Sequence, residues 1–481
     1  MDRNKLYITT TLPYVNAEPH VGHALEFVQA DTISRYFKQK LGNENVFFNV
    51  GTDEHGLKIY RKAKEEGLSI NEFVDKYANR LKDFCKLFFV EYDNFYRTSD
   101  ESHHKAAQEF WKRCNDKGDI YKKKYSGKYC VGCERFITEK ELIDGKCPDH
   151  GTEPEEKEEE NYFFKLSNYK EHLLNWLDTN PDVLKPSQKI DELKQIINDI
   201  EDISISRLRE SLPWGIEVPN DPQQVFYVWF DALTNYVNVI GFGTDEKKLN
   251  EWWPGIQLFG PDNLRFQGVI WQGMLASVGL EHSQKLLEHG MVLGPDGTKM
   301  AKSKGNIISP FDQEEKFGAE IVRFYLLVGI STYADSAYKE DDLINMYNSR
   351  LANNFGNLLN RVIHLSKSKG VKINRYELVE SDFKSKIDAF KDEIERLYEE
   401  YEIALAGEKI NELADWGNKY ITEREPWSKK LDIKESEVIL NNLSYLLNTV
   451  IYYYTPIIPQ SCKVAKKALL EEEKIILFNK I

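Results

Sequence analysis

Cysteine is scarce: six residues in a chain of 481, too few and too unevenly spread for a disulfide scaffold. Long apolar runs are missing as well. None approaches the ~20 residues that cross a bilayer, which sets aside a helical membrane protein and leaves no membrane partner to expect. The opening MDRNKLYITT reads as the first strand of a fold and not as a secretory leader, so the cytoplasm is the expected compartment. Internal repeats and a low-complexity tail are also lacking, which excludes solenoids and extended disordered proteins. Positive charge is in deficit. A net charge of −14 argues against indiscriminate nucleic-acid binding, while a local basic surface stays compatible with it.

What is present is an ordinary globular composition, 41% hydrophobic and 30% charged, with enough chain for two to four domains. Up to about residue 115, strand-like and helix-like stretches alternate: KLYITT, an apolar-periodic stretch from about Val21 to Leu41, NVFFNVGTDEHG, and a charged helix from about Leu57. This alternation predicts an α/β fold with a Rossmann-type, doubly wound parallel sheet. Residues 119–224 interrupt it with a cysteine cluster, the acidic run EPEEKEEEN and a proline-punctuated helical stretch. The acidic run is read as a solvated face or loop. The pattern resumes at QVFYVWFDAL and QLFGPDNLRF. The expected organisation is a first Rossmann half at 1–118, an insertion at 119–224, the second half at 225–293, a lysine-loop region at 294–340, and an α-helical bundle at 341–481.

Cys130, Cys133, Cys147 and His150 form C-x2-C, thirteen residues, then C-x2-H. Two such tight turns predict one tetrahedral Zn²⁺ with every position filled, and so a structural ion in a zinc-binding insertion. Gly132, Gly145 and Pro148 supply the turns. Cys85, Cys114 and Cys462 are expected as buried, reduced core residues.

Two of only ten histidines, His20 and His23, flank Gly22 directly after Pro19. Pro19 suits a first helical turn, and both imidazoles would then share a face at the positive end of the helix dipole, where phosphate is the simplest ligand. An ordinary solvated helix start fits the same residues. Ligands of open parallel sheets bind at the carboxyl ends of strands, so LPYVNAEPHVGH and GTDEHG would bring His20, His23, Asp53 and His55 to one crevice. Asp53 would hold an ammonium group there, or else cap the next helix. The loop GPDGTKMAKSKGN sets Lys299, Lys302 and Lys304 among Pro295, Gly297 and Gly305. Mobile lysines suit phosphate charge that must be met at the moment of reaction. A near copy, HLSKSKG at 364–370, lies on a helical stretch and is read as a solvated face.

In combination the motifs become specific. PHVGH and KMAKS resemble the HIGH and KMSKS signatures of class I aminoacyl-tRNA synthetases. PYVNAEPHVGHALEFVQAD, GTDEHG, the YCVGC and CPDHG knuckles, VWFDALTNY and REPW, taken in order from about residue 5 to 460, resemble methionyl-tRNA synthetases. The resemblance implies a ligase that activates L-methionine with ATP and Mg²⁺ to methionyl-adenylate, then esterifies the terminal ribose of tRNA(Met), initiator tRNA included. It implies catalytic roles for His20, His23, Lys299 and Lys302, and an ATP site of these four with Gly22, Asp262 and Val292. A methionine pocket of Leu12, Tyr14, Asp53, Trp229, Ala232, Tyr236, Phe266, Gln267 and Trp271 follows in the same way. An aromatic cage suits a polarizable thioether, and core packing would account for the same aromatics. Asn357, Arg361 and Trp427 would meet the CAU anticodon in an anticodon-binding bundle. The sequence stops without the added C-terminal tRNA-binding domain that makes many members dimers, so a monomer is expected.

Four positions depart from the family pattern. Ala301 replaces the first serine of KMSKS, Gln267 and Gln257 stand where histidines are frequent, and Pro261 replaces the lysine of GKD. These put the fine geometry of methionine and ATP binding in question. A synthetase for another amino acid and a catalytically silent tRNA-binding paralogue are the competing readings.

Overall fold

The structure of the chain, a computed structural model, describes residues 5–131, 135–137, 139–148, 151–301 and 305–481. Cys133, His150, Lys302 and Lys304 lie outside the described residues. Met1–Glu18, Asn43–Phe84 and Tyr92–His289 make one compact unit, and Pro19–Gly42, Cys85–Glu91 and Gly290–Ile481 a second.

The first unit is built on a parallel sheet of six strands: β1 (Leu6–Thr10), β2 (Val46–Thr52), β3 (Asn94–Arg97), β4 (Leu184–Lys185), β5 (Ile256–Phe259) and β6 (Lys285–Glu288). Their spatial order is β3-β2-β1-β5-β6-β4, with every neighbouring pair parallel. β1 reads LYITT and is buried along its length, the pattern of a strand covered on both faces. Ile8 pairs with Phe48 on one side and Ile256 on the other. Strand order reverses between β1 and β5, so the ligand-binding switch point of this Rossmann-type sheet lies at their carboxyl ends. β4 comes from within 119–224 and joins through Leu184 opposite Leu286. A two-residue strand carries no periodic signal, which hid it from the sequence.

The acidic run is a strand as well as a solvated face. Glu155–Phe164 pairs antiparallel with Ile120–Cys130, setting Glu160 opposite Lys124 and Glu156 opposite Lys128. Opposite charges across the ladder offset the poor strand propensity of glutamate. Glu158 and Glu160 face solvent, while Glu159 and Asn161 are buried.

The second unit contains the helix Val21–Leu41, a parallel strand pair Val292–Leu293 with Ser336–Ala337, and a helical C-terminal region that includes Asn357–Lys369, Ser381–Glu399, Ile403–Arg424 and Ile433–Tyr454. Apolar residues at helical spacing, such as Leu358, Leu359, Val362 and Ile363, are fully buried. Gly417 lets the 403–424 helix come close to Leu358 and Leu446, because a Cβ there would lie 2.7 Å and 3.0 Å from their methyls. HLSKSKG lies at the end of the 357–369 helix, which stops at Gly370 in the left-handed conformation.

Candidate active site

In the second unit, the helix Val21–Leu41 begins after Pro19, which stands outside it, and His20 is the N-cap. This corrects the expectation that Pro19 occupies the first turn. His20 Nδ1 accepts the Gly22 N–H at 3.1 Å, and the His20 N–H donates to His23 Nδ1 at 3.2 Å. The result is a capping box built from two imidazoles, with the rings stacked at 3.9 Å. Since both Nδ1 atoms accept, the bonding pattern assigns the proton of each neutral ring to Nε2. Burial lowers the His20 pKa to about 4, so at neutral pH it acts as an uncharged N–H donor. A Cβ at residue 22 would lie 2.8 Å from His20 Cε1 and 2.9 Å from Nδ1. Gly22 therefore makes room for the His20 ring itself, a reason the sequence did not disclose.

The segment just after the lysine loop meets the same helix start, where the Val21 N–H donates to Ile308 O at 3.1 Å. Lys299 pairs with Leu293 across the turn and is exposed. Asn306 braces the loop: its Oδ1 accepts the Ala301 N–H at 2.9 Å and its amide reaches Thr298 Oγ1 at 3.2 Å. An alanine at 301 leaves that backbone bond in place. Val292 is buried in its short strand.

In the first unit, the carboxyl ends of β1 and β2 deliver Leu12, Tyr14 and Asp53. Beyond the strands the two segments bridge once more in parallel, with the Asp53 N–H donating to Pro13 O at 3.0 Å and the Val15 N–H to Asp53 O at 3.1 Å. Asp53 is 7% exposed. The helix Val228–Asn238 carries Trp229, Ala232 and Tyr236, and the wide π-helical turn Phe266–Ile270 leads Phe266 and Gln267 into Trp271. Trp229 and Phe266 meet edge-on at 4.1 Å and stay half-buried. Trp271 is fully buried against Phe110, Tyr236 and Trp253, so it is the floor on which the other rings rest.

The departures from the family pattern are tied together. Gln267 Nε2 donates to Tyr236 Oη at 2.7 Å, Gln272 Nε2 donates to Gln267 O at 2.7 Å and Ser283 Oγ at 2.9 Å, and Ser283 Oγ donates to Gln257 Oε1 at 2.7 Å. Gln257 and Gln267 thus end one buried polar network. Pro261 opens the single turn Pro261–Asn263 behind Gly260, a position that needs no N–H. Asp262 follows β5 at the switch point and is exposed.

Two residues beside this site were missed in the sequence. Asp231 takes His55 Nδ1 on one carboxylate oxygen and His103 Nε2 on the other, each at 2.6 Å, with all three side chains buried. The two imidazoles hold the Asp231 carboxyl well below its ordinary range against the opposing effect of burial. The doublet His103-His104 in a histidine-poor chain was the available signal.

Asn357, Arg361 and Trp427 come together in the second unit. Asn357 and Arg361 lie one turn apart on the 357–369 helix and face Asn418 and Thr422, both at 3.4 Å. The Arg361 guanidinium sits 5.6 Å above the Trp427 ring, which is 43% exposed. Of the cysteine cluster, Cys130 and Cys147 are buried in one small group with Ile137. Cys85, Cys114 and Cys462 are buried and free, as expected.

The chain matches the family described as tRNA synthetases class I (M) over residues 6–153 and 140–363. It is 37% identical to the methionine–tRNA ligase of Thermotoga maritima over 482 residues, spanning 98% of this chain and 76% of that one. Against the methionine–tRNA ligase of Caldanaerobacter subterraneus subsp. tengcongensis it is 36% identical over 471 residues, spanning 96% and 73%. Its structure is similar to that of Mycobacterium tuberculosis methionyl-tRNA synthetase in complex with methionyl-adenylate, with a TM-score of 0.89, 30% identity, and coverage of 98% and 97%. A parallel sheet switching between β1 and β5, a histidine-capped helix joined to a lysine loop, and relatives of one name along nearly the whole chain lead to one assignment: the chain belongs to the methionine–tRNA ligases of the class I tRNA synthetase family.

Proposed function

We propose that this chain activates L-methionine with ATP and transfers it to tRNA(Met), initiator tRNA included. The observation that carries the reading is the imidazole capping box, with its helix start hydrogen-bonded to Ile308 just beyond the lysine loop. The two imidazole Nε2–H groups and the Lys299 ammonium are the donors this segment offers an anion. The methionine carboxylate attacks the α-phosphorus of ATP, the new P–O bond forms as the bond to the bridging oxygen breaks, and pyrophosphate leaves. A ribose hydroxyl of the terminal tRNA nucleotide then attacks the adenylate carbonyl, and AMP leaves.

A carboxylate is already a nucleophile, so activation needs placement and charge stabilisation more than proton transfer. His20 and His23 donate to ATP phosphates, Lys299 and Lys302 meet charge on the phosphorus and the departing pyrophosphate, and Asp262 and Val292 receive the nucleoside. Mg²⁺ bound with ATP would neutralise phosphate oxygens. Asp53 holds the α-ammonium, the backbone at Leu12 and the side chains of Tyr14, Trp229, Ala232, Tyr236 and Phe266 line the side-chain pocket, and Gln267 and Trp271 support it. Asn357, Arg361 and Trp427 read the anticodon, with the guanidinium available for a base edge and the indole for stacking.

We assign 1–118 and 225–293 to the catalytic halves, 119–224 to the zinc-bearing insertion, 294–340 to the KMSKS loop and stem contacts, and 341–481 to anticodon binding. Cys130, Cys133, Cys147 and His150 would hold one structural Zn²⁺, which would brace the knuckles without taking part in the reaction. Two of these thiols, buried together in one small group, support that fit. A monomer in the cytoplasm is the reading for assembly and compartment; no helix among the described residues is long and apolar enough to cross a membrane.

ATP–pyrophosphate exchange, run with each amino acid in turn, tests the assignment. Methionine should give the highest exchange, and Lys302→Ala should abolish it with folding retained. A higher rate with another amino acid would overturn the pocket assignment. Exchange unchanged in Lys302→Ala would overturn the role given to Lys302, and no exchange with any amino acid would favour a silent tRNA-binding protein.

A further inference from the structure

The buried His55–Asp231–His103 array has no place in the chemistry above, yet it touches both sides of the methionine pocket within the first unit. His55 lies two residues after Asp53. Asp231 lies between Trp229 and Ala232 on the helix Val228–Asn238. His103 comes from the helix Glu101–Asp116, and its Nδ1 takes the Asn238 amide at 3.3 Å while its Nε2 meets Asp231 at 2.6 Å. One imidazole therefore spans two turns of the pocket helix, and the Asn238 donor assigns the His103 proton to Nε2, pointing at Asp231.

The turn carrying Asp53 is pinned at each residue. Asp53 is held through its backbone to Pro13 and Val15, the Glu54 N–H donates to Thr98 Oγ1 at 2.9 Å, the Trp214 indole donates to Glu54 O at 2.5 Å, and His55 is held by Asp231. Burying a carboxylate and two imidazoles is a poor route to stability alone, since apolar residues of the same volume do as well or better. It is a good route to fixed geometry, because two short charge-assisted bonds leave little freedom in either direction.

Resting on the methionine reading of the pocket, we propose that Asp231, clamped between His55 and His103, is a positioning residue for recognition of the substrate's α-ammonium group. Through His55 it sets the turn that presents Asp53 against the helix that presents Trp229, Ala232 and Tyr236. Its loss loosens the ammonium contact selectively and leaves the thioether side in place.

The test compares two ligands by calorimetry on the full chain: L-methioninol, which keeps the amine, and 4-(methylthio)butan-1-ol, which lacks it. Asp231→Asn keeps the side-chain shape and removes the charge. It should weaken methioninol binding about tenfold and the amine-free alcohol less than about twofold. In exchange, KM for methionine should rise by a similar factor while KM for ATP stays at the wild-type value. His55→Gln, which can still donate to Asp231, should give a smaller loss with the same selectivity and serves if Asp231→Asn does not fold. Equal weakening of both ligands, or no change in either, would overturn the proposal. Wild-type protein that neither binds methioninol nor shows methionine-dependent exchange would overturn the functional reading instead.

Discussion

Replacing Gly22 by alanine separates two reasons for a glycine at that position. One is space for the nucleotide, implied by the family pattern; the other is space for the His20 ring. An added Cβ lies 2.8 Å from His20 Cε1 and 2.9 Å from Nδ1, against 3.4–4 Å for ordinary contact. The ring must retreat by roughly half an ångström or more, and misplacement of about 1 Å at a reacting centre costs on the order of 100-fold. The bond from the Gly22 N–H to Nδ1 goes with it, and the lost cap removes ~0.5–2 kcal/mol of helix stability. We expect kcat for methionine-dependent exchange to fall ~10–100-fold, with a small drop in Tm and unchanged methionine affinity. The cycle with His20→Ala is decisive, because once the ring is absent the extra methyl meets no imidazole. Gly22→Ala should then add less than about threefold. If it costs the same factor in both backgrounds, the glycine serves the nucleotide and not the ring. If Gly22→Ala alone leaves exchange within about threefold of wild type, the capping box is not what places His20.

Burial lowers the pKa of His20, His104 and His282 to about 4, so between there and the unfolded value of ~6.5 the unfolded chain binds more protons. Stability should therefore be full above that window and fall as pH drops through it, with His282→Gln removing part of the slope; denaturant midpoints that stay flat from pH 6.5 to 4 would contradict this. Arg323 has no exposed surface and donates to Asp31 at 2.8 Å and to the carbonyls of Phe88, Pro456 and Ile457. Asp31→Ala strands that guanidinium and should cost ~3–5 kcal/mol in urea unfolding, and a loss below about 1 kcal/mol would show the pair to be screened. Arg361→Ala and Trp427→Ala should lower aminoacylation of tRNA(Met) on the order of tenfold while leaving exchange alone; parallel losses in both assays would place them elsewhere than the anticodon. Metal analysis should find about one zinc per chain, and its absence would leave Cys130 and Cys147 as plain buried thiols.

Local features were legible because their causes are local. The strand β1, read from LYITT, and the helix beginning at Val21 each follow from a few neighbouring residues. The motif residues could be singled out for the same reason: a histidine pair at a helix start and lysines among glycines are recognisable within a short window. His103 and Asp231 were not, since their partners stand 128 and 176 residues away along the chain. That Gln257 and Gln267 end one hydrogen-bonded chain was equally hidden, since Ser283 and Gln272 complete it. That the acidic run, read as a solvated face or loop, is also a strand was hidden because Lys124 and Lys128, which stand opposite it, lie on a strand before the cysteine cluster.

The sequence by itself determined the alternation that makes a parallel sheet, the helical C-terminal region, and the residue types able to meet phosphate, ammonium and thioether. These depend on side-chain chemistry and on spacing along the chain. Only the three-dimensional structure decided which nitrogen of His20 and His23 carries the proton, that residue 22 leaves room for the His20 ring, and that Trp271 is floor while Trp229 and Phe266 remain half-exposed. The first two are set by the backbone path of the turn from His20 to His23, which places the two rings and the glycine against one another; the burial of Trp271 is set by Phe110, Tyr236 and Trp253, which folding brings from other parts of the chain.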